Sequence, residues 1–406
     1  MNLFPHQQIS HQFMLDHKRV IIADQPRVGK TLPTALAASM HLPALIVCPA
    51  IVKTVWRDAF DRIGYDGPVT IIQGRKMAES FTADGIIIIN YDLLSNIKKI
   101  GKFQTLVLDE SHRIKSYKSL RTKAALKLMK AIPRVYALSG TPIPNRPIEL
   151  YPLLFGLGIY RGSYYDFALR YARMWQSPWG LDVSGASNLP ELRALIKPHL
   201  IRRTKEEVFT DYQKPLVSLI TFDLPIDKRE KEFSAENIVD HPNPLLAIEG
   251  LSLVMKEAGL RKVAQASEFI EEKLEHEPVI VFAHHKEVVY HLEQLLGGHL
   301  PVVITGDTPA SIRAELINNF QTGKTKLFIG NLAACQEGID LSIADTVVFV
   351  EATWQTSALD QASSRVENIN KSGKAPLIYL LTIANSLDHV ILKKILKKQN
   401  IINQII

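Results

Sequence analysis

RVIIADQPRVGKT, residues 19–31, decides how the chain is read. An apolar run ends at Asp24, and Gly29-Lys30-Thr31 then opens the helix-length stretch LPTALAASM, residues 32–40. A strand that breaks into such a turn and continues as a helix is where α/β proteins cradle phosphate. Gly29 exposes amides, Lys30 neutralises β- and γ-phosphates, and the Thr31 hydroxyl can reach Mg²⁺. The strict loop pattern would place a glycine where Asp24 stands, and Arg27 and Val28 crowd a stretch that is usually glycine-rich. Taken alone, the tripeptide reads equally well as an ordinary helix start, and the rest of the chain decides.

Apolar runs of the same kind recur. In the first half they are ALIVCP (44–49), VTIIQG (69–74), GIIIIN (85–90), TLVLDE (105–110) and VYALSG (135–140). In the second half they are PVIVFA (278–283), PVVITG (301–306), KLFIGN (326–331), TVVFVE (346–351) and PLIYLL (376–381). Continuous rather than alternating apolarity predicts strands buried on both faces, hence parallel sheets covered by helices. The expected fold class is α/β, with two such units and helical insertions between them. Residues 150–275 lack these runs and read as mostly helical, with FSAENIVDHPNP (233–244) as a polar stretch and ILKKILKKQNIINQII (391–406) as an amphipathic tail helix.

The 406 residues suffice for two to three domains, and 46% hydrophobic with 22% charged residues is a globular composition. A net charge of +7 leans towards an anionic partner. Cys48 and Cys335 are too few and too far apart for a disulfide framework or a zinc site. The N-terminal MNLFPHQQISHQ lacks the pattern of a signal peptide, and no stretch approaches membrane-spanning length, so a soluble intracellular protein is expected.

The chemistry sits at the carboxyl ends of the predicted strands, where open α/β sheets bind ligands. TLVLDE ends in adjacent carboxylates. Asp109 suits a Mg²⁺ ligand and Glu110 a group that orients or deprotonates an attacking water, unless the pair is merely an exposed acidic turn. SGT, residues 139–141, closes the next strand with small hydroxyl groups that could couple a phosphate site to a second surface.

The order GKT, DESHRIKS (109–116), SGTPIPNRPIELYPLL (139–154) resembles the SNF2 group of superfamily 2 DNA translocases, and the resemblance extends over nearly the whole chain. That family's loop also carries an aspartate at the position of Asp24. The resemblance implies two RecA-like lobes with ATP and Mg²⁺ bound between them. LFPHQ (3–7) matches the adenine-reading segment and puts Gln7 on the base. CPAIVKTVW (48–56) and NYDLL (90–94) match DNA-backbone segments, implying contacts from Lys53, Trp56 and Asn90, with Thr141 beside them. LIRRTKEEV (200–208), VFAHHKEVV (281–289) and GDTPASIRAELINNF (306–320) add Arg202, Arg203, His284 and Gly306 to the implied DNA contacts. ACQEGIDLSIADTVVF (334–349) brings Gly338 and Asp340 to the nucleotide. WGLDVSGASNLPELRALIKPHLIRRTKEEV (179–208) is similar to the branch holding annealing helicases and fork remodellers.

Two positions depart from the family. Arg27 stands where it keeps a glycine, with a side chain read as pointing to solvent or, alternatively, to a phosphate. In DQASSRVENINKSG (360–373), the resemblance implies that Gln361 and Arg365 face the γ-phosphate, but Asn368 occupies the place of the second arginine. Either Arg365 suffices, or Lys371 or another basic residue substitutes, or hydrolysis is slow.

The implied activity is an ATP-dependent double-stranded DNA translocase that remodels branched DNA by fork reversal, branch migration or annealing. It would act as a monomeric motor without membrane attachment, in the cytoplasm of a bacterium (at the nucleoid) or of a phage-infected host. The alternatives are a strand-separating DNA or RNA helicase and an ATP-sensing DNA clamp with weak hydrolysis. The expected domains are a first lobe over 1–150, a helical insertion with the inter-lobe basic motif over 151–220, a helical linker over 221–275 and a second lobe over 276–406.

Overall fold

Each apolar run of the first half becomes a strand of one sheet: β1 (Arg19–Ile22), β2 (Ala44–Cys48), β3 (Val69–Ile71), β4 (Ile86–Asn90), β5 (Thr105–Leu108) and β6 (Arg134–Leu138), with β3 only half-buried at the edge. The structure is a computed structural model describing residues 3–98, 100, 102–140, 146–177, 180–226, 244–335, 339, 341–351 and 375–392. It divides into two compact units, with the boundary between Val208 and Phe209.

In the first unit, alternate strand residues serve opposite faces of the sheet. Ile21, Leu45, Val47, Ile87, Ile89, Leu106 and Val135 enter one core, and Val20, Ile22, Ile46, Ile86, Ile88, Val107 and Tyr136 enter the other. Burial on both faces is why the runs are apolar throughout. An antiparallel hairpin follows, β7 (Trp175–Ser177) with β8 (Gly180–Asp182), and then the short strand β9 (Leu200–Ile201). The order in the sheet is β3-β4-β2-β5-β6-β1-β9, every pair parallel. All carboxyl ends therefore lie on one edge, and β6 stands between β1 and β5.

The second unit repeats the plan with β10 (Leu216–Phe222), β11 (Val279–Ala283), β12 (Val302–Ile304), β13 (Leu327–Asn331), β14 (Thr346–Phe349) and β15 (Leu377–Ile383). Its order is β10-β15-β14-β11-β13-β12, again wholly parallel. The helix Pro244–Leu274 packs against β11 and β15. It is tied to the end of the sheet by Lys262, whose Nζ donates to the Leu381 carbonyl at 3.0 Å and to the Asp388 carboxylate at 2.5 Å.

Residues 150–275 hold the expected helices, together with four strands that the sequence did not signal, β7, β8, β9 and β10. β10 pairs over all seven residues with β15, from Leu216↔Leu377 to Phe222↔Ile383. It lacks a continuous apolar run because it is an edge strand: Ser218 and Thr221 interrupt it, and Leu216 and Val217 are each 59% exposed. The expected helical linker over 221–275 thus begins inside a strand of the second unit.

Cys48 and Cys335 are free and buried. Among the described residues no helix is long and apolar enough to cross a membrane. The polar stretch 233–243 and the tail beyond Leu392 lie outside the described residues.

Candidate nucleotide site

The phosphate loop is built on the end of β1. The chain leaves the strand through the buried Asp24, turns twice through the left-handed region at Arg27 (φ 68°) and Gly29 (φ 93°), and enters helix α2 (Thr31–Ser39). Glycine is needed at position 29 for two reasons. Its φ is unfavourable for an L side chain, and an added Cβ would lie 2.5 Å from Gln7 Nε2. Arg27 adopts a conformation that glycine takes without strain, which explains why a glycine is the family's choice there.

Helix α1 (Pro5–Asp16) is laced to this loop. Gln7 Nε2 donates to the Gly29 carbonyl at 3.0 Å, while its Oε1 accepts from the Phe4 amide at 3.1 Å. His6 Nε2 lies 2.9 Å from the Val28 carbonyl oxygen. Gln7, expected on adenine, is buried and spans α1 and the loop.

Lys30 Nζ donates to the main-chain carbonyls of Asp24 (2.6 Å) and Gln25 (3.1 Å). Burial pushes the Lys30 pKa down, opposed by the negative charges of Glu110, Asp24 and Asp109. An ammonium held by carbonyl oxygens in the mouth of a loop that also ends on the N-terminus of α2 is a ready receptor for phosphate oxygens.

Across β6, Asp109 and Glu110 follow β5. Asp109 Oδ2 accepts from Trp56 Nε1 at 2.8 Å, its Oδ1 from the Glu110 amide at 3.0 Å, and its carbonyl from the Tyr91 hydroxyl at 2.7 Å. Burial, and then the neighbouring Glu110 carboxylate, push the Asp109 carboxyl up to about 7. Glu110 sits in the left-handed region (φ 51°), so the chain turns sharply after Asp109. His112 Nδ1 lies 3.0 Å from the Ser139 hydroxyl and 3.3 Å from a Glu110 carboxylate oxygen. The SGT turn approaches the loop so closely that a Cβ on Gly140 would lie 2.8 Å from Pro26 Cγ.

These residues fit a divalent cation with a nucleotide. Two adjacent acidic side chains, one held above its ordinary pKa by burial and its neighbour, are stabilised by a cation. Among the described residues no cluster of three or more His, Cys, Asp or Glu could hold a metal ion alone. Mg²⁺ is commonly held by one or two carboxylates plus the substrate's own phosphates.

Three expected DNA contacts have other surroundings. Trp56 is 1% exposed and faces Asp109, because helix α3 (Lys53–Arg62) buries Trp56, Ala59 and Phe60 on one side. That 3–4-residue spacing was readable in the sequence and would have placed the indole inside. Arg203 grips Asp24 with Nε to Oδ1 (3.1 Å) and a terminal nitrogen to Oδ2 (2.8 Å), and it also donates to the His6 carbonyl and the Ser10 hydroxyl. It is therefore a brace between β1, α1 and the segment after β9. Lys53 Nζ donates to the Ile72 carbonyl at 2.7 Å. Sequence reasoning missed Tyr91 and His112 as neighbours of the carboxylates and Ser10 as an Arg203 partner. The histidine alone carried a signal, lying within DESH.

Asn90 is buried at the end of β4 with Nδ2 3.4 Å from Asp92 Oδ2, and Arg202 is half-buried beside Arg203. In the second unit, His284 is exposed at the end of β11, its amide donating to Glu351 Oε2 at 2.8 Å. Gly306 is exposed after β12, near the ion pair of Lys286 with Asp307 (2.6 Å). Thr141, Gly338, Asp340, Gln361, Arg365, Asn368 and Lys371 lie outside the described residues.

Residues 6–263 match the model of the SNF2-related domain, and residues 261–370 match that of the helicase conserved C-terminal domain. The chain belongs to the SNF2 family. Its two parallel-sheet units are the two RecA-like lobes of that family. Among curated relatives, it is 33% identical to the Xenopus tropicalis SWI/SNF-related matrix-associated actin-dependent regulator of chromatin subfamily A-like protein 1, over 96% of this chain and 43% of the relative. It is 27% identical to the human DNA annealing helicase and endonuclease ZRANB3, over 93% of this chain and 38% of that protein. The chain thus spans less than half the length of these two relatives. The Sulfolobus solfataricus SWI2/SNF2 ATPase core in complex with dsDNA aligns with 100% of this chain and 93% of its own, at 21% identity and a TM-score of 0.47.

Proposed function

We propose that this SNF2-family chain is a DNA-dependent ATPase that translocates on double-stranded DNA and remodels branched DNA. The observation that carries the proposal is the convergence of Gly29-Lys30-Thr31, Asp109-Glu110 and Ser139 on one sheet edge, from β1, β5 and the strand between them. Lys30 and the amides of the loop would bind the β- and γ-phosphates, and Thr31 and Asp109 would hold Mg²⁺. A bound divalent cation neutralises charge on the transferred phosphoryl group. Glu110 would take the proton of the attacking water, and His112, between Glu110 and Ser139, would connect that base to the SGT turn.

The net charge of +7 favours a polyanion, and a motor that follows the phosphate backbone needs no base-reading module. One relative is named a DNA annealing helicase, which supports DNA as the substrate. The expected setting is a monomer in a bacterial or phage-infected cytoplasm.

The test is the ATPase rate without nucleic acid and with single strand, plain duplex, a three-way fork and a four-way junction. Duplex and branched DNA should stimulate most, and scrambling the base sequence at constant structure should change little. Equal rates with and without DNA would refute the reading, and stimulation by single strand alone would favour a strand-tracking helicase.

A further inference from the structure

Among the described residues, Trp56 is the one expected DNA contact whose side chain points to the proposed cation site instead. Its ring is 1% exposed, packs on Phe60 with centroids 6.3 Å apart, and donates its only N–H to Asp109 Oδ2 at 2.8 Å. Asp109 Oδ1 and the Asp109 carbonyl are held by the Glu110 amide and the Tyr91 hydroxyl. Backbone and carboxylate are thus fixed from three directions, and each carboxylate oxygen keeps lone-pair capacity for a cation. A buried indole needs some acceptor, and a main-chain carbonyl would satisfy it equally well. Here the acceptor is a carboxylate facing the phosphate loop, and the indole ties α3 to it.

We propose that Trp56 is a positioning residue for this ATPase, its indole N–H orienting the Asp109 carboxylate to receive the divalent cation of the nucleotide. The proposal rests on the reading of Asp109 as a cation ligand. Partners that orient a metal ligand from behind contribute about 10- to 100-fold to metal affinity. Because α3 starts within the segment that resembles a DNA-backbone contact, with Thr54 and Val55 exposed, a displacement of that helix would be felt at Asp109.

The test replaces Trp56 by 3-benzothienylalanine, which keeps the shape of the ring system and has sulfur in place of N–H. Trp56→Phe is the genetically simpler companion. Mn²⁺ binding in the presence of ADP is read by electron paramagnetic resonance on the full chain. ADP binding in EDTA and the melting temperature are measured on the same samples. Both variants should bind Mn²⁺ with ADP about tenfold more weakly or worse, with ADP binding in EDTA preserved; the benzothienyl variant should keep the melting temperature, whereas Trp56→Phe, which leaves a cavity, should lower it. Unchanged Mn²⁺ affinity in the benzothienyl variant overturns the proposal. Equal loss of ADP affinity with and without cation overturns it too, since the indole would then be supporting the fold of the site as a whole. Asp109→Asn separates the two levels. If it abolishes Mn²⁺ binding while the Trp56 variants keep it, only the present inference fails. If Asp109→Asn binds Mn²⁺ with ADP like the parent, the cation reading itself fails and takes this inference with it.

Discussion

Arg203→Ala distinguishes an internal brace from a DNA contact. The substitution removes the guanidinium from four acceptors: both Asp24 oxygens, the His6 carbonyl and the Ser10 hydroxyl. It leaves the Asp24 carboxylate, 3% exposed, without that counter-charge. Breaking a buried ion pair from one side costs about 3–5 kcal/mol. The 16% exposure of the Arg203 side chain favours the lower end, about 3 kcal/mol. For a unit of this size each kcal/mol moves the melting temperature by about 2–4 °C, so the first unit should melt roughly 6–12 °C lower. The loop hangs from Asp24, so ADP affinity should fall as well. Arg203→Ala combined with Asp24→Asn should recover part of the loss, since no carboxylate is then stranded. Differential scanning calorimetry and ADP titration measure both effects. The DNA-contact alternative predicts an unchanged melting temperature and a slope of log K against log salt that falls by about one unit. That pattern would refute the brace.

Gly29→Ala should weaken nucleotide binding in ADP titrations, because φ is 93° and the new Cβ, 2.5 Å from Gln7 Nε2, would push that amide off the Gly29 carbonyl; unchanged binding would show that the loop can rearrange. In the second unit, Asp388→Ala should lower the melting temperature sharply by leaving Lys262, 1% exposed, buried without its carboxylate. The double change Lys262→Met with Asp388→Leu should recover part of that loss, since no charge is stranded, while the Ser386 hydroxyl and the Ile383 amide lose their Asp388 acceptor. The pH dependence follows from Asp109, whose carboxyl is raised from the ordinary 3.8 to about 7. Between those values the folded protein keeps a proton that the unfolded chain has released, so stability falls as pH rises and the loss is complete above about 7. Without divalent cation, Asp109→Asn should therefore melt higher than the parent at about pH 8 and similarly at about pH 4; equal melting at both would contradict the burial of that charge.

The sheets were legible because parallel strands covered on both faces leave continuous apolar runs, and all eleven such runs in the sequence became strands. β10 was hidden by the same logic, since an edge strand need not be apolar throughout. The loop and the adjacent carboxylates were legible as spacing at strand ends, and only the sheet order shows that β6 stands between them. Side-chain direction was the weak link. Trp56 and Arg203 occur in segments that resemble DNA contacts, yet the period of α3 turns the indole inward and the pairing of β9 with β1 brings Arg203 against Asp24. A linear motif specifies a neighbourhood, and the local element decides which way each residue faces. Arg27 holds a left-handed φ that costs an arginine about 1–2 kcal/mol relative to glycine, and nothing in the structure explains the arginine.

The central claim is that ATP turnover at Lys30, Asp109 and Glu110 drives movement along duplex DNA. Displacement of a third strand from a DNA triplex tests it most directly, because a motor that tracks duplex dislodges that strand without separating the duplex. The account predicts displacement that requires ATP and is lost in Glu110→Gln, with nucleotide and DNA binding retained in that variant. Displacement at the parent rate by Glu110→Gln, or ATP-dependent separation of a forked duplex with the triplex left intact, would contradict it.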